Sequence, residues 1–87
     1  MKLEVLTPEK SLFSGEIEAV TVPGISGRFQ ILKNHAPIVS ALTDGEVIIR
    51  TTDGEERFMI DRGFVEVLRN EISLLVHTPA EEEQKPD

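Results

Sequence analysis

Apolar and polar residues alternate along most of this chain, and Gly, Pro, Asn or Asp interrupts the alternation about every eight to twelve residues. A period of two puts successive side chains on opposite faces of an extended backbone, so the pattern predicts an all-β, antiparallel domain of short strands. Lys2 to Thr7 reads as a first strand ended by Thr7-Pro8-Glu9. Ser14-Gly15 reads as a turn starting a second strand from Glu16 to Val22. In that second strand Glu16 and Glu18 share a face with Val20 and Val22. Such a change of polarity along one face is expected where a strand leaves an edge and passes under another sheet, or carries a bulge.

Arg28 to Leu32 follows, with Phe29 and Ile31 on one face, and then Ile38 to Leu42. Asp44-Gly45 and Asp53-Gly54 flank the strand from Val47 to Thr52, and Asp-Gly between alternating residues is a strong hairpin signal. Glu56 to Ile60 pairs back with Phe58 and Ile60 inward and Arg57 and Met59 outward. Asp61-Arg62-Gly63 then turns into Phe64 to Leu68, Arg69-Asn70-Glu71 turns again, and Ile72 to His77 closes the series. Ile72, Leu74 and Val76 share one face while Leu75 lies on the other. A sheet with one solvated side has no need of apolar residues on both faces, so part of the outer surface is expected to meet a partner. After Pro79 the apolar residues stop, and 80–87 reads as a polar, acidic tail that is disordered or forms one helical turn, capped by Thr78-Pro79.

Composition narrows the function. A chain of 87 residues closes over one modest core. With 39% hydrophobic residues, four Phe and neither Trp nor Tyr, that core rests on Val, Ile and Leu. The absence of cysteine removes disulfides, thiolate catalysis and cysteine metal sites. A net charge of −7 disfavours nucleic acid, whose binders gather Lys and Arg against phosphates. No apolar run reaches the roughly 18 residues of a membrane span, and the first residues do not form a signal peptide.

Candidate chemistry is sparse. His35 sits in a loop, where a histidine can serve as acid, base or ligand, but His77 is the only other histidine and no carboxylate stands at a recurring spacing from either. Pro23-Gly24-Ile25-Ser26-Gly27 lacks both the spacing and the strand-to-helix context of a phosphate-binding loop, and reads as a turn requiring positive φ. Ser11 and Ser14 lie in no nucleophile elbow. No catalytic residue, metal ligand or cofactor site is assigned.

The run "VTVPGISGRFQILKNHAPIVSAL" resembles the most recognisable segment of the epsilon subunit family of F-type ATP synthases: a Pro-Gly turn, a Gly, a short Phe/Leu-Ile strand, then Asn/Gly-His-Ala-Pro. "LEVLTPEKSLFSGEIEAVTV" before it and "FMIDRGFVEVLRNEISLLV" after it are similar to the family's first strand with its Phe-Ser-Gly turn, and to its Arg-Gly turn with two final strands. The resemblance covers residues 1–79 in order. It implies a β-sandwich of about ten short strands, the N-terminal domain of epsilon. In that family the domain sits at the foot of the central stalk, attached to the gamma subunit and resting on the c-ring. It turns with the rotor and couples proton or sodium flow to ATP synthesis. It has no active site of its own.

Carried over by position, the resemblance places Gly27, Arg28, Phe29, Lys33, Asn34, His35 and Pro37 on an edge loop facing the c-ring and the base of gamma, and Thr7 and Ser40 against gamma. Two positions depart from the family pattern: Arg28, where many relatives carry an acid, and Lys33, where a Pro is usual. Longer relatives continue into a two-helix hairpin that inhibits ATP hydrolysis. The chain here ends at "TPAEEEQKPD", so a coupling subunit without helix-mediated inhibition is expected, peripheral to the cytoplasmic face of a bacterial inner membrane through its complex alone. The alternatives are a free-standing β-sandwich adaptor that recognises a partner through the Gly24 to Pro37 loop, and an enzyme built on His35.

Overall fold

The computed structural model describes residues 1–79, which form nine strands. These are β1 (Lys2–Leu6), β2 (Ser11–Glu16), β3 (Ala19–Gly24), β4 (Gly27–Leu32), β5 (Ile38–Leu42), β6 (Gly45–Thr51), β7 (Gly54–Ile60), β8 (Arg62–Leu68) and β9 (Glu71–His77). They follow one hydrogen-bonded path, β2-β1-β9-β8-β5-β3-β6-β7, with β4 on the other side of β3. The path curls, so its two halves face each other across one core as a β-sandwich.

Alternation decides what enters that core. From one half come Leu3 and Val5 of β1, Val65 and Val67 of β8, and Ile72, Leu74 and Val76 of β9; from the other come Val20, Val22, Ile31, Val47, Ile49 and Ile60. Complete burial of each such aliphatic side chain contributes about 1.5–3 kcal/mol. Phe13, Phe29 and Phe58 pack against the rim of this cluster and remain partly exposed, so branched aliphatics carry the interior as the composition implies.

Four expectations need correction. The sheet is mixed: β1 pairs β2 antiparallel but β9 in parallel, from Lys2↔Glu71 to Leu6↔Leu75, because the first and last strands run side by side in one direction. Ser14-Gly15 is no turn; it lies within β2, with Gly15 opposite Leu3. The single strand expected from Glu16 to Val22 is two. β2 ends at Glu16 and β3 begins at Ala19, and between them the backbone changes sheets. Ile17 N–H still donates to Met1 O at 2.8 Å, beside β1, while Glu18 N–H donates to Arg50 O at 2.8 Å, on β6. The change of polarity along the 16–22 segment marks this crossing. The expected acidic tail lies outside the described residues.

Asp44-Gly45 makes no hairpin either, because β5 pairs with β8 and β6 with β3 and β7, so the chain only bends there between strands that are not neighbours. At the Asp53-Gly54 and Arg69-Asn70 turns the chemistry agrees with the backbone. Leu68 pairs with Glu71 across a two-residue turn in which Arg69 (φ 53°) and Asn70 (φ 63°) are both left-handed, the combination that matches the twist of an antiparallel hairpin. At Gly63 the requirement is space: a Cβ there would lie 2.5 Å from Leu75 O and 2.9 Å from Val76 Cγ1, so only glycine lets β8 approach β9 so closely.

Candidate functional site

The two halves of the curled sheet present different outer faces. On β6 and β7 the outer face carries Ile48 and exposed Met59 among paired charges: Arg57 bridges Glu55 at 3.0 Å and Glu46 at 3.3 Å, and Arg50 approaches Glu55 at 3.9 Å. The hydrogen bond and charge of Glu55, then the charge of Glu46, raise the Arg57 pKa above its ordinary value. This is a solvated face.

The outer face of β1, β9, β8 and β5 is crossed by an apolar row, with Glu4, Ser73 and Glu66 forming a polar row beside it. Leu6 lies beside Leu75, Leu75 opposite Phe64, and Phe64 opposite Ala41, so four strands contribute one continuous apolar row. Phe64 is 58% exposed and Leu75 53%. Pro8 from the β1–β2 turn and Ile25 from the β3–β4 turn flank the row, and together these residues line a groove of about 550 Å³ whose rim carries Arg62 and His77. Sequence alone pointed here through Leu75, an apolar residue on the wrong side of its strand. The row as a whole was not legible, because it exists only once β1 lies beside β9.

The residues placed by resemblance separate into three groups. Gly27 turns the chain at φ 131° with open space around it. Arg28 reaches across β3 and donates from Nη1 to Glu46 O at 2.9 Å, bracing β4 against β6. Phe29 pairs with Val22 and leans on the core.

The second group forms the loop from Lys33 to Pro37. Asn34 is left-handed (φ 67°), and its N–H donates to Asn70 Oδ1 at 2.7 Å while Asn70 Nδ2 donates to Asn34 Oδ1 at 3.2 Å. His35 is half-buried; its N–H donates to Leu32 O at 3.1 Å and its Nδ1 lies 2.7 Å from Ala36 O. The histidine therefore braces its own turn. Lys33 and Pro37 are exposed.

Thr7 and Ser40 make up the third group. Thr7 is nearly buried, and its hydroxyl accepts from Glu9 and Lys10 N–H and donates to Lys10 O, closing the β1–β2 turn at the lip of the groove. Ser40 lies opposite buried Val65, on the inner side of β5, and is half-buried. Arg28, Thr7 and His35 thus have structural duties within the chain, while Lys33 and Pro37 project from it. Among the described residues no three His, Asp or Glu side chains converge to hold a metal ion.

The fold is a braced β-sandwich with paired charges on one outer face and an apolar, grooved row on the other. Residues 1–82 match the family described as ATP synthase, Delta/Epsilon chain, beta-sandwich domain. The ATP synthase epsilon chain of Chlorobium limicola is 47% identical over 75 residues, which cover 85% of both chains. That of Syntrophomonas wolfei is 44% identical over 77 residues, covering 87% of this chain and 56% of the relative. The fold is also similar to a chain in the central stalk and c-ring structure of the Tetrahymena thermophila mitochondrial ATP synthase (TM-score 0.75, 20% identity, covering 87% of this chain and 62% of that one). This chain belongs to the ATP synthase delta/epsilon chain family, of which it forms the β-sandwich domain. It is a non-catalytic member of that complex.

Proposed function

We propose that this chain is a rotor subunit of an F-type ATP synthase, which joins the gamma subunit to the c-ring and so helps couple ion flow to ATP synthesis. The observation that carries the reading is the apolar row Leu6–Leu75–Phe64–Ala41 on the outer face of one sheet. An exposed row of this kind on a part that does no chemistry serves as an attachment surface, and permanent interfaces are more apolar than the rest of a protein's surface. Gamma is the partner assigned to this face. The Gly27–Pro37 edge, with Lys33 and Pro37 exposed, is assigned to the polar base of the stalk and the c-ring.

The same reading holds for a proton- or a sodium-driven ring, and it places the protein at the cytoplasmic face of a bacterial membrane through its complex. The sandwich formed by residues 1–79 is assigned coupling, and helix-mediated inhibition of ATP hydrolysis is assigned to no part of it. The relatives' names and the likeness of the fold to a central-stalk chain support the reading.

The test is affinity purification of the tagged chain from detergent-solubilised membranes. Recovery of gamma and the c-ring is expected. Recovery of neither overturns the assignment and favours the free-standing adaptor.

A further inference from the structure

The register of β5 leaves one stretch of backbone without a partner. Ile25 N–H donates to Ala41 O at 3.1 Å and Thr43 N–H to Pro23 O at 2.9 Å, so Ala41 and Thr43 turn their backbone groups toward β3. In an antiparallel pair these directions alternate from residue to residue, so Ile38, Ser40 and Leu42 are bonded to β8, and Val39 points the same way as Ala41. Only Leu42 of β5 is registered on β3, with Gly24. At Val39, therefore, no strand of the described residues receives the N–H and C=O that face outward.

Two further observations meet at this edge. Val39 is 73% exposed, the most exposed large apolar residue described, and Leu68, two strand positions beyond Glu66, is 50% exposed. With Pro37 and with Glu66, the exposed carboxylate opposite Val39, they border a cleft of about 260 Å³, so the apolar part of a ligand falls at Val39 and its acidic part at the far end, beside Lys33 and Arg69. At the same end, the Asn34–Asn70 hydrogen bonds hold the loop that carries Lys33 beside the turn that carries Arg69. Neither cation forms an ion pair among the described residues, although the chain as a whole is acidic. A third cation, Lys2, likewise forms no ion pair among the described residues, but it stands in register between two carboxylates, Glu16 and Glu71.

A bare strand edge, an exposed apolar side chain on it and two uncompensated cations at its end together describe one kind of ligand. We propose that an extended, acidic segment of a partner subunit adds to the sheet along the free edge of β5. It closes the Val39 N–H and C=O into a ladder, sets an apolar side chain beside Val39, and brings a carboxylate to Lys33 and Arg69. Backbone pairing supplies the affinity of such strand addition and the side chains supply the choice of partner. The inference rests on the stalk reading only for the source of the segment, a neighbouring subunit of the rotor.

The experiment adds the full chain back to synthase membranes stripped of it. Backbone hydrogen exchange at Val39 is compared in the free and bound chain, and slowing of at least about tenfold on binding is expected. Val39→Pro removes the outward donor at a position where an edge strand tolerates proline, and is expected to weaken binding about tenfold with little change in Tm. Lys33→Glu with Arg69→Glu is expected to weaken binding about tenfold at low salt and to flatten its salt dependence. If the wild-type chain binds while Val39 exchanges as fast as in the free chain and both variants bind as tightly as the wild type, this inference is wrong and the stalk reading stands. If the wild-type chain does not bind, the stalk reading falls and this inference with it.

Discussion

Asn34 and Asn70, 36 positions apart, hold each other by two hydrogen bonds, from Asn34 N–H to Asn70 Oδ1 at 2.7 Å and from Asn70 Nδ2 to Asn34 Oδ1 at 3.2 Å. Both residues are left-handed, and Asn is the side chain that enters this region most readily after Gly. The pair ties the His-Ala-Pro loop to the β8–β9 turn, and so fixes where Lys33 and β5 begin. Asn70→Gly keeps the backbone conformation and loses the contact, at an expected cost of about 1 kcal/mol. Asn70→Ala also strains the turn and is expected to cost about 1–2 kcal/mol more. Urea unfolding of the two variants separates the contributions, and equal stability of both would show that the turn carries no strain.

Gly63 tests how closely β8 and β9 are packed. In Gly63→Ala the new methyl meets the Leu75 carbonyl, a backbone atom with no freedom to swing away. A loss of about 1–3 kcal/mol is expected, read as a lower Tm.

Arg28 is exposed, yet it donates to the Glu46 carbonyl at 2.9 Å. A plain surface charge swap would change stability by about 0.5 kcal/mol or less. Arg28→Glu also removes this brace, so a loss of about 0.5–1.5 kcal/mol is expected, together with any change in c-ring attachment. Arg28→Gln helps to separate the two: it removes the charge without reversing it. Thermal melts set beside binding to stripped membranes divide structural from interface effects.

The ion pairs of Arg57 with Glu55 and Glu46 lie on an exposed face. Their raised guanidinium pKa does not make them strong, because water and salt screen them. Arg57→Gln is expected to leave Tm and assembly unchanged within error. A large loss of assembly would mean that this face, too, is covered in the complex.

Much of this structure could be read from the chain before folding was considered. The Asp53-Gly54 and Arg69-Asn70 turns stand where their local chemistry puts them, and β5 spans the expected Ile38–Leu42, because turns and alternation depend on neighbours in sequence; Asp44-Gly45 has the same local chemistry but joins strands that pair elsewhere. What escaped depends on distant residues. Ser14-Gly15 has the composition of a turn, but pairing with Glu4 and Leu3 extends it into β2. The β1–β9 pairing unites the two ends of the chain, and no local signal announces it. The site divides the same way. Leu75 announced an outer apolar surface by breaking alternation, whereas the free edge at Val39 follows from where β3 leaves β5. Val39 itself reads as an ordinary strand residue.

The central claim is that the face carrying Phe64 and Leu75 is attached to gamma. Its most direct test is a photo-crosslinking phenylalanine analogue placed at Phe64 in the assembled synthase, beside a second chain carrying the analogue at Arg57. Adducts to gamma from position 64 and none from position 57 are the expected result. Assembled complexes in which position 64 reacts with no stalk subunit, while position 57 does, would contradict the account.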